Sequence, residues 1–321
     1  MFRFQTQGFN GYSVKFSPFF EDRIACASAA NFGLVGNGRL WILRSGAGPH
    51  GVDAEKLYDT QDGLYDVAWS EQHEHQLVTG SGDGSVKLWD VTLSEFPIQN
   101  WSEHTREVYS VNWNLIRKDT FLTASWDLTV KWWTPERPQS LATFAGHQHC
   151  VYEASWSPHE PDLFASACGD RIIRLWDARQ PGRPTMTIHG HQGEVLSLDW
   201  NKYQPYTLAS GSVDKTVRVW DARRPDRELS AATGHEYAVR RVRFSPHQAQ
   251  LLASASYDMT MRIWDMGIAG GIAKPVETYG AHTEFVLGVD WNLYHEGELA
   301  TCAWDEQVHI VRPALLASGQ R

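Results

Sequence analysis

A motif of about 44 residues recurs from end to end of this 321-residue chain, and no other feature restricts the fold so tightly. Its clearest copy runs from His191 to Asp221, HQGEVLSLDWNKYQPYTLASGSVDKTVRVWD. A His opens it, an apolar run ends at Trp200, Leu208-Ala209-Ser210-Gly211-Ser212 follows, Asp214 marks a turn, and Val217 to Trp220 closes. Three short alternating runs separated by turns read as three antiparallel strands. The closing aromatic recurs at Trp41, Trp89, Trp133, Trp176, Trp220 and Trp264, at intervals of 48, 44, 43, 44 and 44, and Val311 takes its place 47 residues later. The aromatic that ends each first strand falls at Phe16, Trp69, Trp113, Trp156, Trp200, Phe244 and Trp291. Both markers count seven.

A period of 40–45 residues with Gly-His near its start and Trp-Asp near its end resembles the WD40 repeat. The resemblance implies an all-β, seven-bladed propeller filling residues 1–321 as one domain, with blade cores near 11–43, 64–91, 108–134, 151–178, 195–222, 239–266 and 286–312. Each blade needs a fourth strand, which the runs Pro97 to Trp101, Ser140 to Phe144, Thr185 to Ile188 and Val276 to Tyr279 supply in their units. Little chain follows Val311, so residues 2–6 are expected to pair as the outer strand of the last blade, closing the ring and leaving only protected edges.

In each typical unit the turn Asp lies six residues before the closing Trp, and a Ser or Thr lies four before the Asp. The sets are His104, Thr123, Asp127 and Trp133; His147, Ser166, Asp170 and Trp176; His191, Ser210, Asp214 and Trp220; and His235, Ser254, Asp258 and Trp264. Buried side-chain polar groups must be hydrogen-bonded, and an indole N–H, a hydroxyl, an imidazole and a carboxylate satisfy one another. The WD-repeat resemblance implies this tetrad within each blade. Ser, His and Asp also make hydrolytic triads, but an enzyme has no use for the same triad four times. The sets are read as structural, and the chain as no enzyme. Thr60 replaces His in the second unit, which keeps Thr79, Asp83 and Trp89; the last unit has His282, Thr301 and Asp305 but Val311 for Trp. The first has Gln7 and Val35 for His and Asp. The seam between first and last blades is therefore expected to be the least networked and the first to open.

Composition narrows the function classes. A net charge of −9 argues against phosphate-backbone binding, which needs a basic surface, and favours basic partners over nucleic acid. No apolar run approaches the ~18 residues of a membrane span, and the start MFRFQTQGF lacks a signal-peptide pattern. The ending Ser318-Gly319-Gln320-Arg321 is not a peroxisomal Ser-Lys-Leu address. Cys26, Cys150, Cys168 and Cys302 lie far apart without a CxxC, so neither zinc ligation nor a disulfide framework is indicated, and a reducing compartment fits. The pairs His73/His75, His147/His149 and His189/His191 read as surface or tetrad histidines, and no metal or cofactor is expected. Gly33 to Gly38 has no following helix and reads as a tight turn, not a phosphate loop. Ser45 to Asp53 and Gly267 to Lys274 read as longer surface loops.

WD-repeat propellers bind partners on the narrower face, through residues flanking the start of the first strand and the residue before the turn Asp. Carried over unit by unit, that rule selects Tyr12, Tyr65, Tyr109, Trp126, Tyr152, Tyr237, Tyr257, Phe285 and Trp304 as an aromatic ring, with Asp62, Glu107 and Glu194 on one arc. Clustered accessible aromatics are the usual makings of a binding hot spot; the alternative is that some fold inward and plug the channel. An apolar floor flanked by acids suits a short amphipathic helix with Arg or Lys on one side and Leu or Val on the other.

The stretches NFGLVGNGRLWIL (31–43), DGLYDVAWSEQHEHQLVTGSGDGSVKLWD (62–90), EVYSVNW, SWDLTVKWW, YAVRRVRFSPHQAQLLASASYD (237–258) and AHTEFVLGVDWN (281–292) resemble the peroxin-7 family, the WD-repeat receptors for the type-2 peroxisomal targeting signal. That resemblance implies a cytoplasmic receptor that shuttles to the peroxisome. Its partners would be matrix proteins bearing an N-terminal nonapeptide Arg-(Leu/Val/Ile)-x5-(His/Gln)-(Leu/Ala), a co-receptor peroxin and the peroxisomal docking proteins. Asp62 and Glu107 would pair with the basic side of the signal, and Tyr65, Tyr109, Trp126, Tyr257 and Trp304 would meet its apolar side. Two other readings stay open. One is a substrate adaptor of a cullin-type ubiquitin ligase, suggested by Trp176-Asp177-Ala178-Arg179 and Trp220-Asp221-Ala222-Arg223. The other is a histone-binding scaffold.

Overall fold

The computed structural model describes residues 1–34, 36–46, 51–267 and 272–313. Val35, the middle of each long loop and the C-terminal Ser318 to Arg321 lie outside the described residues.

Seven four-stranded antiparallel sheets stand as the blades of a propeller. The inner strands are Asn10–Phe16, Leu64–Trp69, Val108–Trp113, Val151–Trp156, Val195–Trp200, Val239–Phe244 and Val286–Trp291. Alternation is the reason they form: in the fifth blade Val195, Leu198, Trp200, Leu208 and Trp220 pack against Ile173, Leu175 and Ile188 of the fourth. Each apolar core thus lies between neighbouring blades rather than within one, so no blade buries its face alone. Burying one such Trp contributes ~2–3 kcal/mol.

The first strand, Phe2–Gln5, pairs antiparallel with Gln307–Val311 and completes the last blade, with Phe2 opposite Ile310 and Gln5 opposite Gln307. Behind it Val14, Cys26 and Trp41 of the first blade share one core with Cys302, Val308 and Ile310 of the last. Inner strands do not pair with each other, yet hydrogen bonds link them around the ring. The N–H groups of Val111, Trp156, Leu198, Phe244 and Phe16 are accepted by Asp66, Asn112, Glu153, Asp199 and Asp290 of the preceding blade. The indoles of Trp69 and Trp291 donate to the carbonyls of Lys15 and Arg243 at the two remaining junctions.

Some outer strands differ from the sequence expectation. They are Gln99–Trp101, Ala142–Ala145, Met186–His189 and Lys274–Tyr279, offset by up to two residues because pairing with the preceding strand, not the apolar run, sets their ends. Ser45 to Asp53 is not all loop: Ser45 pairs with Val52, so strands Gly38–Ser45 and Val52–Thr60 reach into it from both sides. Lys274, likewise, begins a strand.

Candidate functional site

One local feature, repeated in every blade, builds the mouth of the ring. The ladder between first and second strands shifts register at Tyr12, Tyr65, Tyr109, Tyr152, Leu196, Arg240 and Leu287. Such a bulge leaves one residue unpaired and re-aims its side chain. Four tyrosines, two leucines and an arginine are collected in this way at one level of the channel. A second repeated bond brings the turn residues beside them: the N–H of Trp126 donates to Glu107 O, that of Tyr257 to Ala238 O and that of Trp304 to Phe285 O.

The rings touch in sequence around the mouth. Tyr257 meets Phe285, Phe285 meets Trp304, Trp304 meets Tyr12, Tyr12 meets Tyr65, and Tyr65 meets Tyr109, with centroids 4.8–5.9 Å apart. Trp126 stacks on Tyr109, and Tyr152 stands edge-on to both. Arg240 closes the ring on the other side, its guanidinium 5.0 Å from the Tyr109 centroid.

Two of the aromatic contacts expected from the sequence, Tyr12 and Tyr65, need correction. Tyr12 and Tyr65 are only 3% and 7% exposed, because they form one buried cluster with Ala29 and Leu287 beneath the other rings. They are not surface contacts. Tyr12 donates to Phe32 O at 2.6 Å, and Tyr65 to Gly33 O at 3.3 Å. Asn10 adds a clasp, donating to Trp304 O and accepting the Phe32 N–H. These bonds hold Asn31 and Phe32 at φ of 49° and 58°, left-handed conformations that non-glycine residues rarely adopt. Phe32 is thereby displayed at 48% exposure against Trp304. The sequence reading missed it, since nothing in a glycine-rich turn marks consecutive left-handed residues. Tyr109, Trp126, Tyr152, Tyr257, Phe285 and Trp304 are partly exposed, and Tyr237 is exposed. The indole N–H groups of Trp126 and Trp304 have no acceptor among the described residues.

The acids sit where the aromatic floor meets the rim. Asp62, Glu107 and Glu194 are each partly exposed, and Glu194 accepts the Tyr152 hydroxyl at 2.8 Å. Burial, with the carboxylates of Asp62 and Glu107 nearby, pushes the Tyr65 phenol up to about 12. The loops that lead into the inner strands carry Asp62, Glu103, Glu107, Glu194, Glu236 and Glu284 against Arg106 alone. Arg106 pairs with Glu107 at 3.4 Å. The mouth is therefore apolar at its centre and negative around it.

The tetrads occupy the blade interiors. His104 bonds Asp127 and Thr123, and Trp133 donates to the same Thr123 hydroxyl. His191, Asp214, Ser210 and Trp220 repeat this geometry, as do His235, Asp258, Ser254 and Trp264. Every one of these hydroxyls is buried and doubly engaged, so none is a nucleophile in reach of a substrate. Burial alone would raise these aspartates, but for Asp127, Asp214 and Asp258 the histidine bond and charge, a Thr hydroxyl and a backbone N–H together outweigh it and hold the carboxyl well below the ordinary range. The fourth blade departs from the expected set. Its His147 still bonds Ser166 and Trp176 donates to that hydroxyl, but His147 Nδ1 is 3.7 Å from Asp170 because Arg174 donates to both. Cys168 lies close to His147 and Asp170, but the guanidinium already supplies the cation a metal would bring. Arg179 and Arg223 have a local role too: each forks back onto the Asp two residues before it, Asp177 and Asp221.

Seven four-stranded blades with these buried His–Ser/Thr–Asp–Trp sets define a WD-repeat β-propeller. Residues 55–90 and 95–134 match the family model of the WD domain, G-beta repeat, and residues 137–264 match that of the EIPR1 beta-propeller. Within that class the chain is similar to peroxin-7 receptors. Over 143 residues it is 50% identical to the "Peroxisomal targeting signal 2 receptor" of Saccharomyces cerevisiae, covering 44% of this chain and 38% of that protein. It is 53% identical over 135 residues to "Peroxisome biogenesis protein 7" of Arabidopsis thaliana, 41% of this chain and 43% of that one. With the Homo sapiens "Peroxisomal targeting signal 2 receptor" it shares 45% over 145 residues, 45% and 44% of the two chains. The matched stretch thus spans about two fifths of the length of these curated relatives.

Proposed function

We propose that this chain is an import receptor. In this reading it binds the N-terminal type-2 peroxisomal targeting signal of matrix proteins as a short basic amphipathic helix. It then delivers them, with a co-receptor, from the cytoplasm to the peroxisomal docking proteins. The observation that carries the reading is the mouth itself: Tyr109, Trp126, Tyr257, Phe285 and Trp304 make an apolar floor, and Asp62, Glu107 and Glu194 line one arc of it. The names of the similar receptors point the same way. A rim ion pair is worth only ~0–1 kcal/mol, so the aromatic floor supplies most of the affinity and the acids set orientation and selectivity. Tyr12 and Tyr65 act beneath the surface, holding Phe32 and the rings above them.

Titration of a fluorescently labelled type-2 signal peptide, with co-receptor present, tests this. Binding should weaken by roughly tenfold in Glu107→Lys or Asp62→Lys while the circular dichroism spectrum and melting temperature stay unchanged. Unchanged affinity in a folded double variant would remove both acids from the site. Retention of ligase subunits instead of signal-bearing cargo would replace the whole reading with the adaptor one.

A further inference from the structure

The end of the channel opposite the aromatic mouth opens into a cavity of about 210 Å³. Its walls are the rings that end the inner strands, Phe16, Trp69, Trp113, Trp156, Phe244 and Trp291. Leu115 and Leu293 stand exposed at the rim. The surface is mainly apolar, but the floor is not. Lys15 reaches it with one ionic neighbour, Asp290 Oδ1 at 3.6 Å, and with no hydrogen bond to its ammonium among the described residues.

The other groups of this floor are engaged. Lys202 bonds both oxygens of Asp199 and the Trp200 carbonyl, and Arg243 bonds Glu153 and the carbonyls of Leu198 and Val242. Asp290 and Asp199 each also accept a backbone N–H from the next blade. Burial, and Arg243 beside it, hold the Lys15 ammonium below the ordinary lysine range. Burial pushes the Glu71 carboxyl on the same wall upward, and no ion pair joins it to Lys15 among the described residues. A half-buried ammonium whose one carboxylate neighbour is 3.6 Å away is further stabilised by a second anion.

We propose that this cavity binds a small carboxylic acid with a short apolar body, Lys15 taking the carboxylate and the ring edges taking the body. The cavity is smaller than the roughly 300–1,000 Å³ of drug-sized sites, which sets the size class. The site is independent of the peptide mouth, because it lies at the other end of the channel.

Isothermal titration of the full chain with 3-phenylpropionate, its amide and acetate tests the proposal. The acid should bind at least tenfold more tightly than either. Lys15→Met should remove that preference, and Lys15→Arg should keep part of it. In the unsubstituted chain the acid should also shield Lys15 from reductive methylation, read by mass spectrometry. Equal affinities for acid and amide, or an unshielded Lys15, overturn the site, and acetate matching the acid overturns the apolar body. A capped Leu-Glu-Leu peptide binding more tightly than the free acid would place the carboxylate on a partner chain and overturn the small-ligand reading.

Discussion

The indole of Trp126 lies against the phenol of Tyr109, with centroids 4.9 Å apart and planes 16° from parallel. Tyr109 comes from the bulge of the third inner strand, and Trp126 from the turn that bonds back to Glu107 O. A stacked pair with a carboxylate beside it is the most compact unit of the mouth. Trp126→Ala should lower signal-peptide affinity by roughly 30-fold, about 2 kcal/mol, as read by the fluorescence titration. The melting temperature should hardly move, since Trp126 is partly exposed and its indole N–H has no acceptor among the described residues.

Tyr12 should behave in the opposite way. Tyr12→Ala removes a buried ring and should cost about 3–5 kcal/mol of stability by denaturant titration. Tyr12→Phe keeps the ring and deletes only the bond to Phe32 O. It should cost about 1 kcal/mol and weaken peptide binding a few-fold, by loosening Phe32 against Trp304. An unchanged affinity in Tyr12→Phe would show that Phe32 is not part of the contact.

The tetrads should contribute stability alone. His191→Ala leaves Asp214 and the Ser210 hydroxyl each short of a buried partner and should cost about 2–3 kcal/mol. Trp220→Phe loses one indole bond and should cost about 1 kcal/mol. Denaturant midpoints check both, and peptide affinity at temperatures where the ring stays folded should be unaltered.

The closing blade should weaken in mild acid. Burial, with the charges of His282 and Arg3, holds the His309 imidazole down at about 3, against roughly 6.5 unfolded. Between those values the unfolded chain binds the extra proton, so stability falls as pH drops from about 6.5 toward about 3, by at most ~1.4 kcal/mol per pH unit. The tetrad aspartates are held low and lose their contribution only below about pH 4. Amide protection factors at residues 2–5 and 307–311 should therefore drop between pH 7.5 and pH 5, more than those of the fourth and fifth blades. His309→Gln should flatten the difference.

Period and punctuation made the ring legible. Trp89 to Trp264, the turn aspartates and the strand-ending aromatics repeat in step, and only stacked antiparallel blades bury such units. Charge and the aromatic positions marked the face. Which rings lie on it was not legible, because Tyr12 and Tyr109 hold the same place in their repeats, yet one lies in the buried cluster and the other only packs against it. Their neighbours decide: Tyr12 is covered by Trp304 and the left-handed Asn31-Phe32 turn, whereas Tyr109 lies against Trp126 and Tyr152, both themselves partly exposed. The same holds for Arg174, which reads as an ordinary strand residue until it is found between His147 and Asp170.

The sequence by itself determined the number of blades, the inter-blade cores and the hydrogen-bonded sets within them. These follow from local alternation and fixed spacing, which any copy of the repeat carries. The tertiary structure alone decided what the mouth displays and which floor cation is held by a single long ion pair at the channel's far end. Exposure and charge compensation are set by side chains from different blades, some 40 to 300 residues apart in the chain, as Tyr152 with Glu194 and Asn10 with Trp304 show.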